Sequence, residues 1–493
     1  MSQPIEQLLQ SPEGKTLEFK RDLSSPRNLL KTLVAFANTA GGYLLVGVDD
    51  ERQVVGVAQP LDEEERLANL ISDSIAPRLV PDIELLNHAG KDLLRVQVFP
   101  SGLRPHYLKV EGIDRGVYVR LGSSSRQAGP ELVAELQRSA AGVVFDELAM
   151  PALTIDDLDL DAARRWFGEH HVLDEKALLT LRLLVREQGR LVPTKGAVLL
   201  FGKQRELHFP DAWVQCGRFA GTDKTHIIDH RDIHAALPDC VEQVLDFLKK
   251  HAMRGADFSE VRRRDVWSIP LLMLREAVIN ALVHADYSQV GVPMRVAFFD
   301  DRIEVESPGI LVPGLTVNDM KLGVSSLRNR VVARVFRELN LIEQWGSGVR
   351  RIFSEAQALG LPEPAIVEVG MRLRLTVYIA AQAGVESEAG LGVESGVESG
   401  AESGVESGAE SSIAEQVLQC LQAAPLSKSA IAHALGKAKP NRYLNELMNR
   451  LLEAGQVAYT VPEKPQSRLQ RYRLTAKGRR GLLPASPEGG ADE

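Results

Sequence analysis

Residues 29–50, LLKTLVAFANTAGGYLLVGVDD, decide the first part of the fold. Across 29–38 the apolar side chains recur at helical spacing, and 43–48 (YLLVGV) is a short apolar strand entered through Gly41 and Gly42. The reading is a helix packed beside a buried strand. The two glycines need no ligand to explain them, because a tight turn into a buried strand already asks for them. Working outward, LLRVQVFP at 93–100 and GVYVRLG at 116–122 add strands, and PELVAELQRSAAG from 130 opens a helix. A first domain over 1–135 follows.

The string EGKTLEFKRD places Glu13 five residues before Glu18, and Glu18 two before Lys20. Residues two apart on a strand share a face, so in a strand Glu18 and Lys20 would point the same way. Carboxylates beside a lysine suit phosphodiester chemistry: the oxygens hold a hard cation and the ammonium neutralises phosphate. Asp49 and Asp50, just after the strand at 43–48, would complete such a site for a hard cation such as Mg2+ or Mn2+, with Lys20 a candidate catalytic partner. A solvated surface of mixed charge is the alternative.

From LEFKRD through LVAFANTAGGYLLVGVDDERQVVGV the chain resembles the AlbA-type domain shared with Schlafen proteins, over roughly residues 10–130. The resemblance implies nucleic-acid binding. In nuclease members three acidic residues bind the metal, and Glu13, Glu18 and Asp49 are the positions that match them. Vertebrate Schlafen cores also carry a zinc site of clustered Cys and His, and this sequence has no such cluster.

With 493 residues, about three domains are expected. The net charge of -8 excludes a uniformly basic coat, so nucleic-acid contact must come from a local patch. Three cysteines, Cys216, Cys240 and Cys420, lack the spacing of a zinc knuckle or redox pair. With no signal pattern and no apolar run near the roughly 20 residues that span a bilayer, a cytoplasmic protein without membrane contact is expected.

Residues 136–265 read as a helix-rich connection, with strands at AVLLFG (197–202) and near VQCGRFAG (214–221). The next block, 266–382, opens on the helix LLMLREAVINALVHA, where Glu276, Asn280 and His284 fall at four-residue steps on one face. Three polar groups in a row are costly to bury unless they meet a ligand or each other. The alternative is a polar, solvent-facing stripe. A hairpin, PMRVAFFD and RIEVESPG joined at Asp300 and Asp301, then a helical run and the strand MRLRLTVYI complete an α/β sandwich.

This block is similar to the GHKL ATPase fold in its shortened form, through EAVINALVHADYS, ESPGIL (306–311) and EQWGSGVRRI (343–352). The resemblance implies an ATP site with Mg2+: Glu276 and Asn280 in the N-box, with Asn280 a metal ligand and His284 beside them, Gly309 near the adenine pocket, and Gly346 and Gly348 in a second glycine box. Full GHKL enzymes read the adenine amino group with the Asp of an Asp-x-Gly motif. Here the stretch is Ser307-Pro308-Gly309 after Glu306, so adenine recognition is weakened or re-routed.

The repeat GVES-GVES-GAES-GVES-GAES at 392–411 lies in a segment, 383–412, that is read as a solvated tether. Beyond it, residues 413–480 hold twelve Lys and Arg against four Glu, in a chain that is acidic overall. Three helical stretches and a hairpin (QVAYTV, RYRLTAKG) over 413–482 describe a winged helix-turn-helix. Lys437, Lys439, Asn441, Arg442 and Asn445 mark the groove-facing end of its recognition helix, and Arg471, Arg473 and Lys477 supply wing or phosphate contacts. Residues 483–493 read as a disordered tail.

The fold class is therefore α/β and multidomain. Three functions compete: an ATP-binding, duplex-DNA-binding transcriptional regulator, with the first domain adding nucleic-acid contact or homo-oligomerisation; a metal-dependent nuclease on RNA or single-stranded DNA, in phage defence; and an ATPase switch.

Overall fold

A computed structural model describes residues 4–168, 172–257, 264–267, 269–342 and 348–379, together with scattered residues between 417 and 475 that include 456–460 and 471–475. The chain divides into two compact units, residues 1–385 and 386–493. The tether lies outside the described residues.

In the N-terminal part, four strands stand in the order Leu17–Lys20, Gly42–Val46, Lys91–Val98, Asp82–His88. The first pair is parallel and the others are antiparallel. Helix Pro26–Asn38 buries Leu29, Leu33, Val34 and Phe36 in a core that includes Leu44, Val46, Leu94 and Val96 of the sheet. Gly41 has φ +75°, and a Cβ there would lie 2.6 Å from the Val98 carbonyl oxygen; at Gly42 it would lie 2.9 Å from the Phe36 ring. Backbone geometry and close packing thus account for both glycines. Asn38, which ends the helix, is fully buried and ties three segments together: its Nδ2 donates to the His106 and Tyr118 carbonyls at 2.9 Å, and its Oδ1 accepts from His106 N at 2.7 Å.

The next part is built on a six-stranded sheet in the order His226–Ile233, Val214–Ala220, Met294–Phe298, Arg302–Pro308, Arg372–Tyr378, Ala365–Val369. Every pairing is antiparallel except Val214–Ala220 with Met294–Phe298. The expected boundary at residue 265 would cut this sheet, since its first two strands come from the segment read as a connection. One hydrophobic core runs through both parts, from Leu158 to Ile379.

The expected strand AVLLFG is instead part of helix Lys195–Phe201. Thr194 caps it by accepting from Ala197 N at 3.1 Å, and Gly196 through Phe201 are all buried. An apolar run buried on all sides carries no period, so its pattern does not separate helix from strand. The cap was the better signal.

Helix Leu271–His284 forms as expected, and so does the hairpin across Asp300 and Asp301. The helix buries Met273, Leu274, Ala277, Val278, Ile279 and Leu282, which seats its polar row inside the fold. Helix Arg330–Glu338 is capped from afar: the buried Asp146 carboxylate accepts from the backbone N of Arg330, Val331 and Val332 at 3.0, 2.6 and 3.0 Å. Burial still pushes its pKa up to about 6.

In the C-terminal unit, Val457–Tyr459 pairs antiparallel with Tyr472–Leu474, as the hairpin reading expects. Val417, Leu421, Ile431, Met448, Leu451, Tyr472 and Leu474 share its core.

Candidate functional site

The two candidate sites behave differently. In the N-terminal part, Glu18 is buried and pairs with the Arg120 guanidinium and the Lys20 ammonium. Arg120 is itself 1% exposed, with Nε donating to the Gly14 carbonyl at 3.0 Å and Nη1 to Ser125 Oγ at 3.2 Å. Glu13 accepts from Phe19 N at 2.7 Å. Asp49 serves its own turn, accepting from Glu51 N at 3.1 Å and Gln53 N at 2.8 Å. The expected contact of Glu18 with Lys20 is made, but the three proposed metal ligands are each committed to a fold contact. Among the described residues no three His, Cys, Asp or Glu side chains are placed to hold a metal ion.

In the second part, helix Leu271–His284 lays Glu276, Asn280 and His284 along one wall of a cavity of about 300 Å³. Strand Arg302–Pro308 and the turn after it form another wall through Val305, Ser307, Gly309 and Ile310, and Gly348 and Val349 open the helix on a third side. The three polar residues therefore face a space rather than solvent. Asn280 Nδ2 donates to the Glu276 carbonyl at 2.8 Å, which leaves its Oδ1 as the atom available to a cation. Arg351 Nη1 lies 3.7 Å from Glu276 Oε1.

Both described glycines of the expected set are required by geometry. A Cβ on Gly348 would collide with Glu276 Oε2 and lie 3.2 Å from Asn280 Nδ2. Gly309 has φ +99°, and a Cβ there would collide with the guanidinium of Arg328. Gly346 lies outside the described residues. His284 has its pKa held down at about 4, first by burial and then by the Arg328 charge, so its imidazole is neutral near pH 7. Glu306, the carboxylate closest in sequence to the Gly309 turn, pairs with Arg374 at 2.6 Å. On the same strand Glu304 pairs with Arg302 at 2.8 Å.

Of three residues that the sequence reading passed over, Arg328 lines the cavity and Asn329 and Asp286 brace the elements that build it. Arg328 is 7% exposed, donates from Nη2 to the Ile310 carbonyl, and pairs with Glu135 at 3.0 Å. Asn329 is fully buried, and its Nδ2 reaches the Val283 and Ala285 carbonyls at 2.9 and 2.7 Å, tying helix Arg330–Glu338 to the end of the Glu276 helix. Asp286 fixes the chain after that helix through its N to the Pro308 carbonyl at 2.8 Å. For Arg328 and Asn329 the signal was a polar pair directly before an apolar helix, which by itself reads only as a cap.

In the C-terminal unit, Arg471 and Arg473 are exposed on either side of buried Tyr472. Lys437, Lys439, Asn441, Arg442, Asn445 and Lys477 lie outside the described residues. No helix among the described residues is long and apolar enough to cross a membrane.

The fold and the cavity define a multidomain α/β protein with an ATPase-type domain. Residues 13–129 match the family model "Schlafen, AlbA_2", and residues 291–377 match "Putative ATP-dependent DNA helicase recG C-terminal". The N-terminal domain is thus of the Schlafen AlbA_2 type, and a RecG-type HATPase domain follows it in the chain. Residues 414–475 match the C-terminal domain model of Fic-like proteins, "Filamentation induced by cAMP protein Fic-like". Among solved structures, the chain is similar to the DIP2311 protein of Corynebacterium diphtheriae, with 19% identity, 96% of this chain and 98% of that one covered, and a TM-score of 0.39. It is also similar to the N-terminal domain of a RecG-related protein of Nitrosomonas europaea, with 30% identity, 26% of this chain and 94% of that one covered, and a TM-score of 0.22.

Proposed function

We propose that this chain is a nucleotide-binding, DNA-associated regulator, in which the HATPase domain takes a nucleoside triphosphate, ATP in the pattern of its family, and the C-terminal unit binds duplex DNA. One observation carries the nucleotide reading: Glu276, Asn280 and His284 line a cavity opposite two glycines whose missing side chains keep it open. The cavity is at the lower end of the size range for small-molecule sites. Its donors suit a nucleotide with its cation, because Asn280 Oδ1 and the Glu276 carboxylate are hard oxygen ligands for Mg2+. When bound, that cation neutralises phosphate charge. Glu276 is the residue placed to orient a water, and its engagement with Arg351 fits binding with slow turnover.

The DNA reading rests on the reversal of charge beyond residue 412 and on the exposed pair Arg471 and Arg473. Such cations hold phosphate without reading sequence. The regulatory role follows from joining the two activities in one chain.

The test is a titration of labelled ATP with Mg2+ into the full-length protein and its Asn280→Ala variant. We expect the variant to bind at least about tenfold more weakly, the equivalent of ~1.4 kcal/mol. Equal binding would remove the Glu276 helix from the nucleotide site.

A further inference from the structure

One wall of the cavity belongs to two domains at once. Gly309, Ile310, Leu311, Val312 and Leu315 line the cavity, and all lie within the HATPase match. The same segment is also held by residues of the AlbA_2 match and of the helix directly after it. Ile310 is 5% exposed and shares a small core with Val117, Val119 and Ala128, and with Leu132 and Leu136 of helix Pro130–Ala140. Gly314 N donates to the Thr39 carbonyl at 2.9 Å, next to the buried Asn38 that ties the first domain together. Leu311 N donates to Glu368 Oε1 at 2.9 Å, and the Lys15 ammonium pairs with that same oxygen. Arg328 adds a fourth tie, donating to the Ile310 carbonyl while it pairs with Glu135 of helix Pro130–Ala140.

These ties are packed rather than solvated: the side chains of Lys15 and Glu368 are 16% and 5% exposed. A close-packed interior passes a displacement on to its neighbours instead of absorbing it. A ligand that fixes the position of residues 309–315 therefore also fixes strand Tyr118–Leu121, helix Pro130–Ala140 and the chain around Lys15. The route leads on to the acidic row of the first domain. Arg120, on that strand, pairs with Glu18 and donates from Nε to the carbonyl of Gly14, the residue before Lys15. Strand Asp82–His88 stands at the opposite edge of the same sheet from Leu17–Lys20 and serves as an internal reference.

We infer that nucleotide binding in the cavity is coupled to the AlbA_2 domain through residues 309–315, with Lys15 a positioning residue that acts on the cavity wall through Glu368. The inference rests on the nucleotide reading given above and adds what that site controls. Coupling of this kind is reciprocal: whatever the first domain contributes to nucleotide affinity, the nucleotide returns as stability of the clamped arrangement.

The experiment uses the full-length protein and its Lys15→Met, Lys15→Arg and Val119→Ala variants, none of which alters a residue lining the cavity. Thermal melting shows that each is folded. Labelled ATP with Mg2+ is titrated into all four, and hydrogen exchange of the wild type is followed with and without ATP and Mg2+. We expect Lys15→Met and Val119→Ala to bind ATP about fivefold or more weakly, and Lys15→Arg to stay within about twofold of the wild type. ATP should slow exchange in strand Tyr118–Leu121 and helix Pro130–Ala140 and leave strand Asp82–His88 unchanged. Wild-type affinity in both Lys15→Met and Val119→Ala, or unchanged exchange in those two elements, would overturn the coupling and leave the nucleotide site standing. Equal slowing in Asp82–His88 would overturn the route through residues 309–315. A loss in Lys15→Arg as large as in Lys15→Met would remove the Lys15 charge from it. A wild type that binds no ATP would overturn the nucleotide reading itself.

Discussion

Two rows of polar residues in this chain look alike in sequence and are used in opposite ways. Glu13, Glu18 and Asp49 sit around a strand in the AlbA_2 domain, and Glu276, Asn280 and His284 sit on a helix in the HATPase domain. The first row is absorbed by a buried arginine, a backbone N–H and a turn. The second faces a cavity. Spacing along an element places side chains on a common face, but only the neighbouring elements decide whether that face meets protein or space. The N-terminal row has Arg120 arriving from a hairpin about a hundred residues away, whereas the second row has glycines arriving opposite it.

The largest effect that tests this contrast is at Glu18. Removing one partner of a buried ion pair strands the other charge, and we expect Glu18→Ala to lose about 3–5 kcal/mol of stability in urea unfolding. Asp49→Ala, which gives up only a turn contact, should lose about 1 kcal/mol or less. A folded Glu18→Ala of wild-type stability would mean that Arg120 does not depend on it, and the carboxylate would again be free for chemistry.

A second test uses pH, because His284 in the cavity wall and Asp146, which caps helix Arg330–Glu338, pull in opposite directions. The His284 pKa is lowered to about 4 from an ordinary 6.5, so between those values the unfolded chain takes up a proton that the native one refuses. Its contribution to stability is complete above pH 6.5 and falls away as the pH drops towards 4, on the order of 1–2 kcal/mol by pH 5. Asp146, raised to about 6 from 3.8, has the reverse sign: the native carboxyl keeps a proton that the unfolded chain releases. Its contribution is complete below pH 3.8 and is lost as the pH rises through 6. His284→Asn should thus flatten the loss of stability between pH 7 and 5, and Asp146→Asn should steepen it. Denaturant unfolding at several pH values separates them, and identical slopes in the three proteins would place His284 in contact with water.

The cavity itself is tested at Gly348. A valine there would drive its side chain into Glu276 and Asn280. We expect Gly348→Val to weaken nucleotide binding by about tenfold or more, roughly 1.4 kcal/mol, with little change in duplex DNA binding. Unaltered nucleotide affinity would show that the ligand stays clear of this glycine.

Much of this contrast was legible in the sequence, and the illegible part has a physical pattern. The Glu276 helix, the hairpin at Asp300 and Asp301 and the turn at Gly41 and Gly42 are local, so spacing and turn chemistry reveal them. The strand Val214–Ala220 belongs to the same sheet as Met294–Phe298, yet that parallel pairing closes a loop of about 80 residues and leaves no local trace. The strand expected near 214–221 is there, but its place in this sheet was not legible, and the neighbouring strand His226–Ile233 was missed in the segment read as a connection. Arg328 and Asn329 were missed in the same way: their neighbours in sequence describe a helix start, and their importance comes from Glu135, Ile310 and Val283 across the fold. The fate of Glu18 depended on Arg120, again a partner out of local range.

The smallest expected effect concerns the C-terminal hairpin, where charge rather than burial is at issue. Arg471 and Arg473 alternate with Tyr472 and Leu474, so strand geometry sends the arginines outward and the apolar pair into the core. Replacing both with Ala leaves that core intact and removes two cations. If each neutralises one phosphate, the slope of log affinity for duplex against log salt should fall by about two, and the loss should be similar for unrelated duplexes. A loss confined to one sequence would make the hairpin a reader of bases. An unchanged slope would place the DNA surface on the helices of this unit, with the hairpin turned away from the duplex.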